Sequence, residues 1–202
     1  VLAGRGAHVT GITISSAQFA VATRQQSAAP NLCFVFGDWL ASDLPAESFD
    51  AAIAIESSEH MPDKQGFFGQ ACRVLRADGK LVVCAWVAGD GASKTAERWL
   101  LEPICREGRM PHVGRATDYE SLAAAAGLRL QQFQDVTRAV ARTWPAIARQ
   151  LAAKVLTDPR YLRFLFSSHA RNRVFALTAL RISIAYRTGA MRYGIFTFVK
   201  PL

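Results

Sequence analysis

The chemically capable residues of this chain collect at the ends of its apolar runs. Asp38 closes the run Cys33-Phe34-Val35-Phe36-Gly37. The cluster Glu56-Ser57-Ser58-Glu59-His60 follows directly on the run Asp50 to Ile55. Two carboxylates, two hydroxyls and an imidazole within five residues offer acceptors, donors and one group that titrates near neutrality. A third apolar run, Lys80 to Val87, comes after an intervening helical stretch. In open parallel sheets, ligands bind in the crevice outside the carboxyl ends of the strands. Polar groups gathered at such ends therefore mark a binding site.

The elements that must carry these residues alternate between two periods. His8 to Ile14 reads as a strand, and Ser15-x-x-Gln18 as a capping-box start for a helix to about Ala28. Pro30 and Asn31 end that helix, and Leu32 to Gly37 is the next strand. Asp50 to Ile55 is so continuously apolar that a strand covered on both faces is expected. Pro62 and Asp63 open a helix whose apolar residues Phe67, Phe68, Ala71, Val74 and Leu75 recur at helical spacing, with Gly79 as its stop. Strands alternating with helices imply right-handed crossovers and a parallel sheet. Further on, Thr95 to Glu107 and Thr117 to Ala126 read as helices and Leu128 to Val136 as a strand. Arg138 to Ala190 is helical in pattern, broken at Pro145 and Asp158-Pro159, and Tyr193 to Val199 is a closing strand. Helical segments between late strands are expected to cap the strand ends, where a substrate pocket forms.

Composition bounds the reading. With 202 residues, half of them hydrophobic and a fifth charged, the chain has the make-up of one folded domain and not of a disordered chain. Cys33, Cys72, Cys84 and Cys105 lack metal-type spacing, so no metal is expected and reduced thiols in a cytoplasmic protein are. No signal peptide stands out, and no apolar run approaches the ~20 residues of a spanning helix. The chain opens on Val1, within what reads as a helix end, as a fragment would.

The order of features resembles the class I S-adenosylmethionine-dependent methyltransferases, whose doubly wound sheet ends on an antiparallel strand. The tocopherol methyltransferase-like branch is resembled in detail, through Val9-Thr10-Gly11-Ile12-Thr13-Ile14-Ser15 with Gln18, Phe49-Asp50, and Glu56 through Lys64. Trp99-Leu100-Leu101 with Ile104-Cys105, Thr117-Asp118-Tyr119, Thr143-Trp144-Pro145 and Lys200-Pro201 fit as well. The resemblance implies an α/β, Rossmann-like, mostly parallel sheet in a single domain over 1–202, with helical cap segments at about 93–126 and 138–190. One departure stands out: the family's first strand and glycine-rich loop have no counterpart, and Gly4-Arg5-Gly6 precedes a strand instead of following one. Loss of that central strand is expected to leave neighbouring edges unpaired. The 202-residue chain is accordingly expected to bind S-adenosyl-L-methionine weakly or not at all.

What the resemblance implies for the site follows residue by residue. Asp38 accepts from the adenine amino group, with Trp39 beside it. Thr13 stands where an acid often holds the ribose. Glu56, Ser57 and Ser58 line the methionine end. His60 takes the proton of a phenol or amine acceptor, and Glu59 orients His60 or polarises the acceptor. Methyl transfer from a sulfonium is an in-line displacement, helped by holding the partners in attack geometry. The acceptor implied is a small, apolar aromatic, phenolic or prenylated, with an amine left open.

Charge is uneven. Positions 138–194 carry 11 Lys/Arg against the single acid Asp158, while the remainder carries 13 basic and 15 acidic residues. Trp144, Tyr161, Phe164, Phe166, Phe175 and Tyr186 interleave with these cations. That pattern suits peripheral contact with an anionic membrane, or equally a solvated face whose aromatics point inward. No nucleic-acid recognition motif accompanies it. Two other readings remain open: a nicotinamide-dependent oxidoreductase on the same kind of sheet, and a non-catalytic membrane-surface module.

Overall fold

A computed structural model describes residues 1–26, 29–158 and 175–202. The strands fall into two sheets. β1 (Val9–Thr13) and β2 (Leu32–Phe36) pair in parallel, with α1 (Ser16–Gln26) between them in sequence. The second sheet is formed by β3 (Phe49–Ile55), β4 (Leu75–Ala88), β5 (Arg129–Asp135) and β6 (Met191–Val199), in the spatial order β3-β4-β6-β5. β3 and β4 are parallel, and β6 runs antiparallel to both of its neighbours. This is the expected Rossmann-like methyltransferase sheet with an antiparallel last strand. Among the described residues β1 and β3 each have a ladder partner on one side only.

Several local expectations need correction. β3 is not covered on both faces. Ala52 and Ala54 meet the core beneath α2 (Lys64–Val74), but Ile53 and Ile55 on the other side of the pleat are 51% and 65% exposed. An edge strand with helix on one face only leaves its alternate side chains in the open. Gly79 does not stop α2 either. The helix ends at Val74 because Leu75 is already extended, and β4 begins there. Residues 76–79 then bulge out of the β3–β4 register, with Asp78 left-handed at φ 61°. The capping box at α1 is half made: Ser15 Oγ accepts from Gln18 N (3.3 Å), while the Gln18 carbonyl oxygen takes the Thr13 hydroxyl (2.9 Å). Pro145 lies in the first turn of α7 (Thr143–Thr157), which follows the short α6 (Thr137–Val140), and it breaks nothing there.

Two apolar clusters organise the packing. The first joins α2, α5 (Ala116–Ala125) and the middle of the sheet through Phe67, Phe68, Leu81, Tyr119, Phe196 and Phe198. The second joins the far ends of β4 and β6 to the segment 94–108, α7 and α8 (Phe175–Thr188). Segment 94–108 consists of α3 (Lys94–Ala96), a π turn (Glu97–Leu101) and α4 (Glu102–Gly108). The expected cap segment 93–126 is therefore divided: 94–108 joins the second cluster, and α5 lies in the sheet layer beside α2. Gly89 makes the seam, since its N–H donates to Ala190 O (2.9 Å) and a Cβ there would stand 1.9 Å from Gly189 O. Glu107 of α4 accepts from Thr178 and Arg181 of α8 and ties the two helices together.

Candidate active site

The loop after β3 is fixed by a buried polar latch. Ser58 and Glu59 sit in a 3-10 turn (Ser58–His60) and are both buried. The Tyr119 hydroxyl from α5 lies 3.1 Å from Ser58 Oγ, which itself donates to Glu59 Oε2 (3.1 Å). Ser58 has one proton to give, so Tyr119 must be the donor to it. Glu59 Oε1 accepts from Trp86 N (2.7 Å), which fastens the turn to the end of β4. Lys64, also buried, donates to the Ser58 and Met61 carbonyls, each at 3.2 Å. Burial pushes the Glu59 carboxyl above its ordinary pKa and pushes the Lys64 ammonium below its own. Asp63 caps α2 by accepting from Gly66 N (2.8 Å). The string Glu59 to Lys64 is thus a structural device that fixes the strand-to-helix junction.

The eight candidate residues separate accordingly. Ser58 and Glu59 have their oxygens engaged inside the protein, and neither presents a surface to a ligand. Glu59 orients the end of β4, where an orienting contact with His60 was one expectation. His60 is exposed at the end of the same turn. Thr13 Oγ donates to Gln18 and accepts from Ser15 N (3.2 Å), which locks the β1-to-α1 turn. Asp38 is exposed at the end of β2. Its Oδ1 caps the turn Trp39–Ala41 by accepting from Leu40 N (2.9 Å), and the other carboxylate oxygen remains for a ligand. Gly37 N donates to Thr13 O (3.0 Å), which brings the β1 and β2 ends side by side. The Trp39 indole donates to Phe67 O (3.2 Å) and so joins the small sheet to α2. Ser57 is half-buried.

Glu56 is the distinctive residue. It is exposed and left-handed (φ 48°), and its N–H donates to Cys84 O (2.9 Å). Non-glycine residues held in this region cluster at functional sites. Burial raises the Tyr193 hydroxyl pKa, and the nearby Glu56 carboxylate adds to it. Tyr193 stands opposite Trp86 on the β4–β6 ladder, and the Trp86 ring meets Trp144 of α7 edge-on at 5.9 Å. Burial raises the Tyr186 hydroxyl pKa, and the carboxylates of Glu56 and Glu59 add to it. Sequence reasoning missed Trp86 and Tyr193, while the inward packing of Trp144 and Tyr186 is one of the two alternatives it left open. Only the ladder, which sets Trp86 against Tyr193, brings them beside Glu56. No group of residues suited to hold a metal ion occurs among the described residues.

The arrangement puts polar residues at the C-terminal ends of parallel strands and an aromatic cluster beside one of them, as in nucleoside-binding α/β enzymes with a capped acceptor site. A family described as "Methyltransferase domain" matches residues 1–83. The chain is 31% identical to the chloroplastic tocopherol O-methyltransferase of Arabidopsis thaliana, over 98% of this chain and 58% of that protein. It is 26% identical to the 2-methyl-6-phytyl-1,4-hydroquinone methyltransferase of Synechocystis, over 96% of this chain and 62% of that one. Among solved structures, the geranyl diphosphate C-methyltransferase of Streptomyces coelicolor A3(2) superposes with a TM-score of 0.73 at 17% identity, covering 98% of this chain and 65% of that chain. The fold is that of the class I S-adenosylmethionine-dependent methyltransferases, and over nearly its whole length the chain is similar in sequence to the tocopherol methyltransferase-like branch. It spans about three-fifths of the length of these two curated relatives.

Proposed function

We propose that the protein transfers a methyl group from S-adenosyl-L-methionine to a small, apolar aromatic acceptor of phenolic or prenylated type. The observation that carries this reading is the left-handed Glu56 at the β3 end, whose carboxylate is near enough to the aromatic cluster to add to the burial-raised pKa of the Tyr186 and Tyr193 hydroxyls. A cofactor-side carboxylate and an acceptor-side wall thus lie side by side. The sulfonium, when bound, supplies an electrophilic methyl whose transfer needs only an aligned nucleophile. The free oxygen of Asp38 fits the adenine amino group, and Thr13, Trp39 and Ser57 shape the surface around the nucleoside. Glu56 fits the cationic methionine end. His60 takes the acceptor's proton, and Glu59 holds the turn that aims it.

The segment 94–108 and the helices α7 and α8 form the cap over the acceptor in this reading. The helices α7 and α8 bear the aromatic residues Trp144 and Tyr186, both of which point inward. Tyr161, Phe164 and Phe166 lie outside the described residues. Some of the basic charge is neutralised by acids from elsewhere, since Arg181 pairs with Glu107 and Arg192 with Asp90 (2.8 Å). On α7, Leu156 is 86% exposed beside the exposed Lys154, and Arg149 is exposed on the same helix. That combination favours peripheral contact of 138–194 with an anionic membrane, which flotation on anionic against neutral liposomes tests. No described helix is long and apolar enough to cross a membrane.

The deciding experiment follows methyl transfer from labelled S-adenosylmethionine to prenylated hydroquinones, by the protein expressed from its complete coding sequence. His60→Ala is expected to lower kcat by about 100-fold or more, with cofactor affinity retained. Unchanged turnover in that variant removes His60 from the reaction.

A further inference from the structure

Trp86, Trp144 and Tyr186 share one feature that their neighbours lack. The indole N–H of each tryptophan and the Tyr186 hydroxyl are buried without a hydrogen-bond partner. Trp144 is 9% exposed and Tyr186 6%, so water does not serve these groups from outside. Buried donors are nearly always paired, and a specific exception calls for an explanation. Three exceptions in one aromatic cluster, at the far ends of β4 and β6, call for a common one.

We propose that these three side chains form the subsite for an uncharged oxygen, a phenolic hydroxyl, on the methyl acceptor. The inference rests on the methyltransferase reading and narrows its acceptor. An indole N–H can only donate, so its partner must carry a lone pair. A protonated amine carries none and is excluded by two donor-only groups. A phenolate is disfavoured by the nearby Glu56 and Glu59 carboxylates, which already raise the Tyr186 pKa. A neutral hydroxyl satisfies both demands, because it accepts from the indoles and can donate to a carboxylate. Since the donors are sealed, α7 and α8 must part from the β4–β6 end to admit the acceptor.

The test uses the complete protein with S-adenosylhomocysteine bound and calorimetry as the readout. The probes are a short-chain prenylated hydroquinone, an analogue with methyls in place of both hydroxyls, and the corresponding prenylated benzylamine. The hydroquinone is expected to bind about tenfold or more tighter than the methyl analogue. Tyr186→Phe and Trp144→Phe each weaken the hydroquinone by about tenfold, and leave the methyl analogue and S-adenosylhomocysteine unchanged. Tyr186→Phe is also expected to melt no lower than the wild type, because its hydroxyl has no bond to lose. Equal binding of the two aromatic probes, equal loss of both in the variants, or preference for the benzylamine overturns the subsite and leaves the methyltransferase reading standing. A wild-type protein that does not bind S-adenosylhomocysteine overturns the underlying reading, and this inference with it.

Discussion

The two apolar clusters of this protein are built from similar side chains and treat their polar atoms in opposite ways. In the sheet cluster the Tyr119 hydroxyl reaches Ser58, Ser58 reaches Glu59, and Glu59 reaches the backbone of Trp86. In the cap cluster Trp86, Trp144 and Tyr186 leave theirs unpaired. A buried donor without a partner costs roughly 1–3 kcal/mol, so the second arrangement sacrifices stability that the first secures. Under the subsite proposed above, the difference separates a region built to hold shape from one built to meet a ligand. Left-handed Glu56 stands between the two, at the end of β3.

The sharpest way to break this contrast is to open each cluster and compare. Phe68 is fully buried and packs edge-on against Phe67, Tyr119 and Phe198 at ring separations of 5.0, 5.9 and 5.5 Å. Phe68→Ala should cost about 3–5 kcal/mol in urea unfolding. A loss below about 1 kcal/mol would mean that this cluster is not the stabilising core. The seam between the clusters should be less costly to disturb. At Gly89 a methyl group meets the Gly189 carbonyl at 1.9 Å, so Gly89→Ala must push the start of β6 away from the end of β4. About 1–3 kcal/mol is expected, with the change in hydrogen exchange concentrated in α8 and early β6. Exchange altered chiefly around α2 would show that the clusters are not separable in this way.

Most of the sheet was legible in the sequence, because apolar runs bounded by turn residues report strands directly. β1, β2, β5 and β6 fall within about two residues of their expected ends. Burial of β3 was not legible: a run of Ala and Ile is compatible with one covered face or two, and only the position of α2 decides between them. The site divided along the same line. The placing of Asp38 and Glu56 at strand ends could be read, because a polar residue ending an apolar run is a local signal. Trp86 and Tyr193 were invisible for the opposite reason. They are more than a hundred residues apart, and antiparallel pairing alone sets them opposite one another. The inward latching of Ser58, expected to line the methionine end, and of Glu59, expected to orient His60 or polarise the acceptor, was not legible, because composition cannot distinguish a polar cluster that points outward from one that is latched inward.

The latch also makes a prediction about pH. Burial raises the Glu59 pKa above its unfolded value, so the folded state holds that proton to higher pH than the unfolded chain does. The stability contributed by this group is full below its ordinary value of 4.5 and is lost as pH rises through the raised folded value. Glu59→Gln keeps an oxygen for the Trp86 N–H and an amide N–H for Ser58 Oγ, yet cannot titrate. The stability of the wild type relative to Glu59→Gln should therefore fall as pH rises from about 4.5 toward neutrality, in urea titrations at matched ionic strength. A flat difference, or one rising with pH, would show that Glu59 ionises freely and that the sheet cluster is not sealed as described.

The smallest expected effect is the most direct measure of the contrast. Tyr119→Phe and Tyr186→Phe each delete one hydroxyl from a buried ring, one from either cluster, with no change in shape. Tyr119 donates to Ser58 at 3.1 Å, so its loss should cost about 1 kcal/mol and leave Ser58 Oγ with one partner fewer. Tyr186 has no bond to lose, so its deletion should be neutral or slightly stabilising in the ligand-free protein. Because the packing contribution of the ring is common to both, the difference between the two variants isolates the state of the hydroxyl. Equal losses would mean that Tyr186 has a hidden partner, and that the two clusters handle their polar groups alike.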